Sequence, residues 1–265
     1  MCNGISRQTL QRRITYKTGE KLIKTEDLYV SFGNGDILKG VSAEIPKNKI
    51  TAIVGQSGTG KSVFVKTIDG LIKPWKGSIK IDGEEVLNYS KSEWKELRKR
   101  ISFLFQSAGL FDSMDVLQNV SLPLREHTDF SMEKIRKTAK EKLALVGLPG
   151  IEEKYPSELS GGMKKRVGLA RALVLEPEYI IYDEPTAGLD PLTANEITEL
   201  IAEMDAHTDA TSVVVTHDLD CLNKIAENII MLKDGQVLYR GAYRDFIKNK
   251  NKDIQEFLTK YRTNI

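Results

Sequence analysis

The chain has 265 residues, 40% hydrophobic and 29% charged, the balance of a globular protein built as one large domain or two small ones. Lys and Arg total 39 against 37 Asp and Glu, a net charge of +2, and bulk nucleic-acid binding ordinarily needs a marked basic excess. Cys2 and Cys221 match no metal-ligand spacing and read as free thiols of a reducing compartment. No apolar run reaches the roughly 18 residues of a membrane-spanning helix, and the first twenty residues lack the apolar stretch of a signal peptide.

Residues 1–21 are expected to form a polar tail. KLIKTEDLYVSF then begins a strand-like alternation, Gly33, Asn34 and Gly35 make a turn, and DILKGVSAEI reads as the hairpin partner. KITAIV, residues 49–54, is a short β-branched run of the kind found in buried parallel strands. A helix is expected from Lys61 to a terminal glycine at Gly70, and a strand in GSIKIDG closed by an Asp82-Gly83 turn. SKSEWKELRKR predicts a short solvated helix with the RKR of residues 98–100 facing water, and ISFLF a further strand. Trp75 and Trp94 are assigned to packing. SMEKIRKTAKEKLALVGL places Met132, Ile135, Ala139, Leu143 and Val146 at helical spacing behind Ser131 as N-cap. From Tyr179, strands and helices alternate through YIIYDE, LTANEITELIAEM, SVVVTHD, ENIIMLKDG and QVLYRG, which implies a parallel α/β core.

GQSGTGKS, residues 55–62, fits the phosphate-binding pattern G-x-x-x-x-G-K-[ST] between an apolar strand and a helix. Gly58 and Gly60 let successive N–H groups curl inward, and the helix beginning at Lys61 adds its positive end. Lys61 is expected to reach the β- and γ-phosphates, and the Ser62 hydroxyl to ligate Mg²⁺. Asp183 and Glu184 follow an apolar strand, where open α/β sheets present ligand groups. Asp183 suits a magnesium site through water, Glu184 the orientation of an attacking water. His217 ends the next apolar strand on the same sheet edge, able to contact a γ-phosphate and to hold Glu184. Asp190, ahead of Pro191, reads as a helix N-cap. LSGGMKKRVGLARAL, residues 159–173, is a second anion-binding stretch, with Lys164, Lys165 and Arg166 read as solvent-facing or rim charges.

As a set these stretches resemble the ATP-binding cassette ATPases. GQSGTGKS stands as Walker A, Phe105-Gln106 as the Q-loop, LSGGM as the signature and YIIYDE as Walker B. AGLD (residues 187–190) stands as the D-loop and His217 as the switch histidine, all in the family's order from about Leu22. GQSGTGKSV, GLFDSMDVLQNVSLPLREHT and SELSGGMKKRVGLARAL narrow the likeness to the ATPase subunit of lipid-asymmetry (Mla-type) transporters, PLREHT being the most telling piece. The resemblance implies an α/β P-loop NTPase (RecA-like) core with an antiparallel β-subdomain and an inserted α-helical subdomain. The core would span 22–105 and 170–258, the helical signature subdomain 106–169, and a C-terminal tail 259–265.

The resemblance also assigns roles. Phe32 would stack on adenine, in a slot often filled by tyrosine. Gly55, Gln56, Ser57, Gly58, Thr59, Gly60, Lys61, Ser62 and Val63 would hold the ATP phosphates. Ser62, Gln106 and, through water, Asp183 would hold Mg²⁺, with Gln106 sensing the γ-phosphate; Glu184 and His217 would be catalytic. Ser160, Gly161, Gly162 and Met163 would contact the ATP of a partner subunit, with Asp190 in the D-loop between them, so that a homodimer closes around two MgATP. Met163 stands where the signature usually carries Gln, but the serine hydroxyl and glycine N–H groups make the phosphate contact. Integral-membrane permease subunits and a lipid-binding carrier are the further implied partners, with no nucleic acid. The implied place is peripheral, on the cytoplasmic side of the inner membrane, energising phospholipid movement across the cell envelope. Three alternatives stand beside this. One is the ATPase of an importer for a small solute of the methionine or osmolyte type, where SGGM also occurs. Another is a non-transport cassette of DNA repair or translation, against which stand a single cassette and no room for a long coiled coil. The last is a non-hydrolysing regulator, against which Glu184 stands.

Overall fold

The structure, a computed structural model, describes residues 22–33 and 35–261. The expected tail over 1–21, Cys2, Asn34 of the expected turn, and 262–265 of the expected C-terminal tail lie outside them. The chain runs β1 (Leu22–Ser31), β2 (Asp36–Pro46), β3 (Ile50–Val54), α1 (Lys61–Ile68), β4 (Lys76–Ile81), β5 (Glu84–Glu85), α2 (Lys91–Leu97) and β6 (Ile101–Leu104). Three helices follow, α3 (Val116–His127), α4 (Met132–Leu145) and α5 (Gly161–Leu173). The rest is β7 (Tyr179–Asp183), α6 (Pro191–His207), β8 (Thr211–Val215), α7 (Leu219–Ile225), β9 (Asn228–Lys233), β10 (Gln236–Ala242), α8 (Tyr243–Phe246) and α9 (Lys252–Lys260).

Every residue of β3, β7 and β8 is buried, which is why these strands read as nearly unbroken apolar runs. They lie in a six-stranded sheet of order β10-β9-β3-β8-β7-β6, parallel except where β10 returns along β9. β1 alternates instead, burying Ile23, Thr25, Leu28 and Val30 on one face, and belongs to an antiparallel sheet of order β2-β1-β4-β5. Asp82 and Gly83 both have positive φ (53° and 83°), the backbone of a tight hairpin turn from β4 to β5. The two sheets meet where Lys39 N–H donates to the carbonyl of Gly235 at 2.8 Å. Gly235 has φ 82°, and a Cβ there would lie 2.4 Å from the carbonyl oxygen of Ile37. One core fills the space between the sheets, with Ile23, Leu38 and Ile79 packed with Phe64 and Ile68 of α1 and with Ile181 and Val213. A second, on the other face of the parallel sheet, is built from α3, α4, α5 and α6.

Several expectations need correction. Helix α3 is not among the expected elements, because Pro123 inside it is a helix-breaking signal. Asp115 starts it with a reciprocal capping pair to Gln118. Buried Asn119 donates to the carbonyls of Phe111, Met114 and Asp115 at 3.0 Å and accepts from Phe111 N–H at 2.8 Å. Met132 is 56% exposed, whereas Ile135, Ala139, Leu143 and Val146 are buried. Helical spacing assigns a face, not how far the neighbouring helices cover it. Arg100 does not share the solvated face given to residues 98–100. It is half-buried, paired with Asp82 and with Glu178 at 2.9 Å, while the Tyr179 hydroxyl donates to Asp82 at 2.5 Å. A run of like charges takes no account of the turn and strand end that its last residue meets. Trp75 packs, but on the surface, with its ring 5.3 Å from Tyr29 and its indole N–H donating to Asp36 at 2.9 Å. α5 is continuous through residues 169 and 170, and α9 through 258 and 259.

Candidate functional site

The site lies where parallel strands β3, β7 and β8 end side by side. The loop after β3 must pass hard against β9. A Cβ on Gly55 would lie 2.3 Å from the carbonyl oxygen of Leu232, and one on Gly60 2.8 Å from the Leu38 side chain. Gly58 has open space around it, so its requirement is the backbone alone, at φ 82°. Lys61 folds back over the loop and donates to the carbonyls of Gly55 at 3.0 Å and Gln56 at 2.9 Å. Burial lowers its pKa, against the opposing pull of the Glu184 and Asp183 charges. Gln56 and Ser57 are exposed, Thr59 closes the loop by donating from its hydroxyl to the carbonyl of Gln56 at 2.9 Å, and Val63 packs against the inter-sheet core. Among the described residues no side chain caps α1, so its first-turn N–H groups have no partner of that kind there.

Ser62 Oγ donates to Asp183 Oδ1 at 2.8 Å, tying the start of α1 to the end of β7. Asp183 is buried, with Lys66 Nζ 4.0 Å from its other oxygen. Glu184 takes a left-handed backbone (φ 52°), and its N–H donates to the carbonyl of Val215 at 2.9 Å. Its Oε1 lies 3.0 Å from His217 Nδ1, and its buried Oε2 has no hydrogen-bond partner among the described residues. The His217 ring sits 5.3 Å from that of Tyr261, just beyond α9. Gln106 is exposed on the loop after β6.

Lys165 overturns its reading as a rim charge. It is 5% exposed, and its Nζ donates to the carbonyl of Gln106 and, at 3.1 Å, to that of Glu184. Consecutive helical residues point about 100° apart, so Lys164, Lys165 and Arg166 cannot share a face. Lys165 instead falls in line with buried Gly162 and Leu169. That spacing was the available signal for it; nothing in the sequence marked Tyr261. Arg166 donates to the carbonyl of Val146 at 3.0 Å and pairs with Glu196 at 2.9 Å.

Ser160 caps α5, accepting from Met163 N–H at 3.2 Å. The glycines behind it pack on the start of α6, where a Cβ on Gly162 would lie 2.5 Å from Thr193. Asp190 caps that helix, accepting from Thr193 N–H at 3.0 Å and from its hydroxyl at 2.6 Å, and these bonds hold its carboxyl below the usual range. The fold thus gathers residues 55–63, Asp183, Glu184 and His217, and attaches Gln106 through Lys165. Among the described residues, no hydrogen bond joins Ser160, Gly161, Gly162 or Met163 to the phosphate loop, and Phe32 stands 60% exposed just beyond β1.

These groups fit a phosphate chain with a divalent cation. An uncapped helix start presents N–H donors, backbone fills the room a side chain would need at residue 55, Ser62 and Asp183 offer adjacent oxygens, and Glu184 keeps an unused acceptor. Residues 38–187 match the family model described as ABC transporter. Over 236 residues the chain is 42% identical to "Probable ribonucleotide transport ATP-binding protein mkl" of Mycobacterium tuberculosis, covering 89% of this chain; it spans 66% of that protein's length. It is 40% identical over 237 residues to "Intermembrane phospholipid transport system ATP-binding protein MlaF" of Escherichia coli, covering 89% of this chain and 88% of that one. The structure is similar to the dimeric post-hydrolysis ATP-binding cassette MJ0796 bound to ADP and Pi, with TM-score 0.76 and 34% identity over 83% of this chain and 98% of that one. With more than half of its length inside the family model, and a relative this similar along most of both chains, the protein is a member of the ABC transporter family.

Proposed function

We propose that the chain is the ATP-binding and ATP-hydrolysing subunit of an ABC transporter, dimerising around two MgATP to drive phospholipid transport across the cell envelope. The observation that carries hydrolysis is Glu184, next in sequence to the Asp183 that Ser62 binds, with one carboxylate oxygen steadied by His217 and the other buried without a partner among the described residues. Phe32 stacks on adenine. The amides of residues 55–63 wrap the phosphates, and Lys61 exchanges a loop carbonyl for a phosphate oxygen. Mg²⁺, when bound, neutralises phosphate charge, held by Ser62, Gln106 and, through water, Asp183. Glu184 accepts a hydrogen bond from the attacking water and aligns it. As the water oxygen bonds to the γ-phosphorus, the bond to the β–γ bridging oxygen breaks, and ADP leaves with that oxygen and its electron pair. The water's proton passes by way of the Glu184 carboxylate to the released phosphate, while His217 holds the carboxylate and the γ-phosphate in register. The core of 22–105 and 170–258 carries this site apart from Gln106, which opens the helical part of 106–169 that carries the signature. Ser160, Gly161, Gly162 and Met163 of one copy close on the ATP of the other, with Asp190 at the seam, a reciprocal two-fold arrangement.

The likeness to MlaF supports phospholipid as cargo, and with it permease subunits and a lipid-binding carrier as partners. Peripheral attachment at the cytoplasmic side of the inner membrane accords with the finding that no described helix is long and apolar enough to cross a membrane. A second reading, an importer ATPase for a small polar solute, is kept by the 42% identity to a protein named for ribonucleotide transport. Co-purification of the permease with phospholipid or with a polar solute decides between them. For the engine itself, Glu184→Gln should bind MgATP as the wild type does, hydrolyse it about 100-fold more slowly or worse, and sediment as a long-lived dimer with ATP. Hydrolysis at the wild-type rate would remove Glu184 from its role.

A further inference from the structure

The loops carrying Gln106 and Glu184 leave the C-terminal ends of neighbouring parallel strands, with Leu104 of β6 opposite Tyr182 of β7. One side chain from a third element bonds both. Lys165 of α5 donates to the main-chain carbonyl of Gln106 and to that of Glu184, the latter at 3.1 Å. An ammonium group is rarely buried without compensation. Here burial lowers its pKa, and what opposes that cost is the pull of the Glu184 and Asp183 carboxylates together with the two carbonyls that bind it. The bond to Glu184 falls where the backbone is least at ease. A glutamate at φ 52° persists only when its surroundings fix it. Val215 holds its N–H from one side and Lys165 its carbonyl from the other. The carboxylate that meets His217 hangs from that fixed peptide.

Lys165 also belongs to the helix that Ser160 opens, about 7.5 Å along its axis at 1.5 Å per residue. A shift of the signature end is therefore delivered to both carbonyls by a rigid element. We propose that Lys165 is a positioning residue for hydrolysis. It ties the Gln106 and Glu184 loops to the signature helix, so that the seating of Ser160 to Met163 on a partner's nucleotide sets the catalytic carboxylate of their own copy. This rests on the roles given to Glu184 and Gln106 above.

The test is steady-state hydrolysis and MgATP binding by the full chain carrying Lys165→Met, Lys165→Arg or Lys165→Gln, beside Glu184→Gln. Methionine keeps the length and removes the donors, arginine can again serve two carbonyls, and glutamine offers its amide to one. For Lys165→Met, kcat falls by about 10- to 100-fold, while KM and nucleotide affinity stay within about threefold. Lys165→Arg recovers most of the loss and Lys165→Gln lies between. In the Glu184→Gln background, Lys165→Met slows the residual rate by far less than it slows the wild type, because the carboxylate it positions has gone and only the Gln106 loop is left for it to hold. Should Lys165→Met keep kcat within about twofold of wild type while Glu184→Gln is inactive, the lysine has no such role and the reading of Glu184 stands. Were Glu184→Gln itself active, both would fall. If Lys165→Met does not fold, the other two variants decide. Equal losses of kcat and nucleotide affinity in both would reduce Lys165 to a structural residue and overturn the proposal.

Discussion

Asp69 closes α1 at the end away from the phosphate loop and is 6% exposed. Burial pushes its carboxyl up to about 7, against the weaker pull of Arg98. A carboxyl whose folded pKa lies above its unfolded one stabilises the fold only while it keeps its proton. That contribution is complete below about 3.8 and is lost as pH rises through about 7. Asp69→Asn removes the charge at constant shape, so its melting temperature should gain on the wild type from about pH 5 to about pH 7 and then hold level. A gap that stays constant across that range would mean that Asp69 remains ionised when folded. At this scale the sequence was legible where a motif fixes the residue and silent where a distant partner does. The glycine at 55 follows from the phosphate-loop pattern, but the strand backbone at Leu232 that forbids a side chain there does not. Lys165 and Arg100 look like members of surface charge runs because their partners, two carbonyls and two carboxylates, come from distant stretches of chain.

Among elements, strands were easier to read than helices. β3, β7 and β8 are buried on both faces, and the shortness and β-branched or aromatic content of their apolar runs decide for strand over buried helix. Helix α3 carries the opposite signals, a proline inside it and a polar residue at a fully buried position. Asn119 accounts for its formation. Its one side-chain amide binds the peptide groups of Phe111, Met114 and Asp115, and so fastens the segment that leads from Gln106 into the helix. Asn119→Leu leaves those groups short of partners inside the protein, and urea titration should show a stability loss of about 3 kcal/mol. A loss below about 1 kcal/mol would mean that water replaces the amide at little cost. The capping residues of α4 and α6 were visible as Ser131 and Asp190, since caps depend on local spacing alone.

For the whole molecule, the order of the motifs along the chain was enough to bring the family into view, but not to say which strands would lie side by side. The phosphate-loop strand β3 is flanked by β8 and β9, which begin only at Thr211 and Asn228. This has a consequence for the chain as it is made. Strand β3 leaves the ribosome early and stays without neighbours until most of the protein has been synthesised, holding an apolar stretch that pairs only with distant segments. Nucleotide binding then waits until β9 has been made. A fragment of residues 1–227 contains every residue assigned to the ATP site, yet lacks β9 and the Leu232 carbonyl against which Gly55 is seated. Equilibrium dialysis should find no ATP bound to it, and measurable binding would show that the loop shapes itself before its strand has both neighbours.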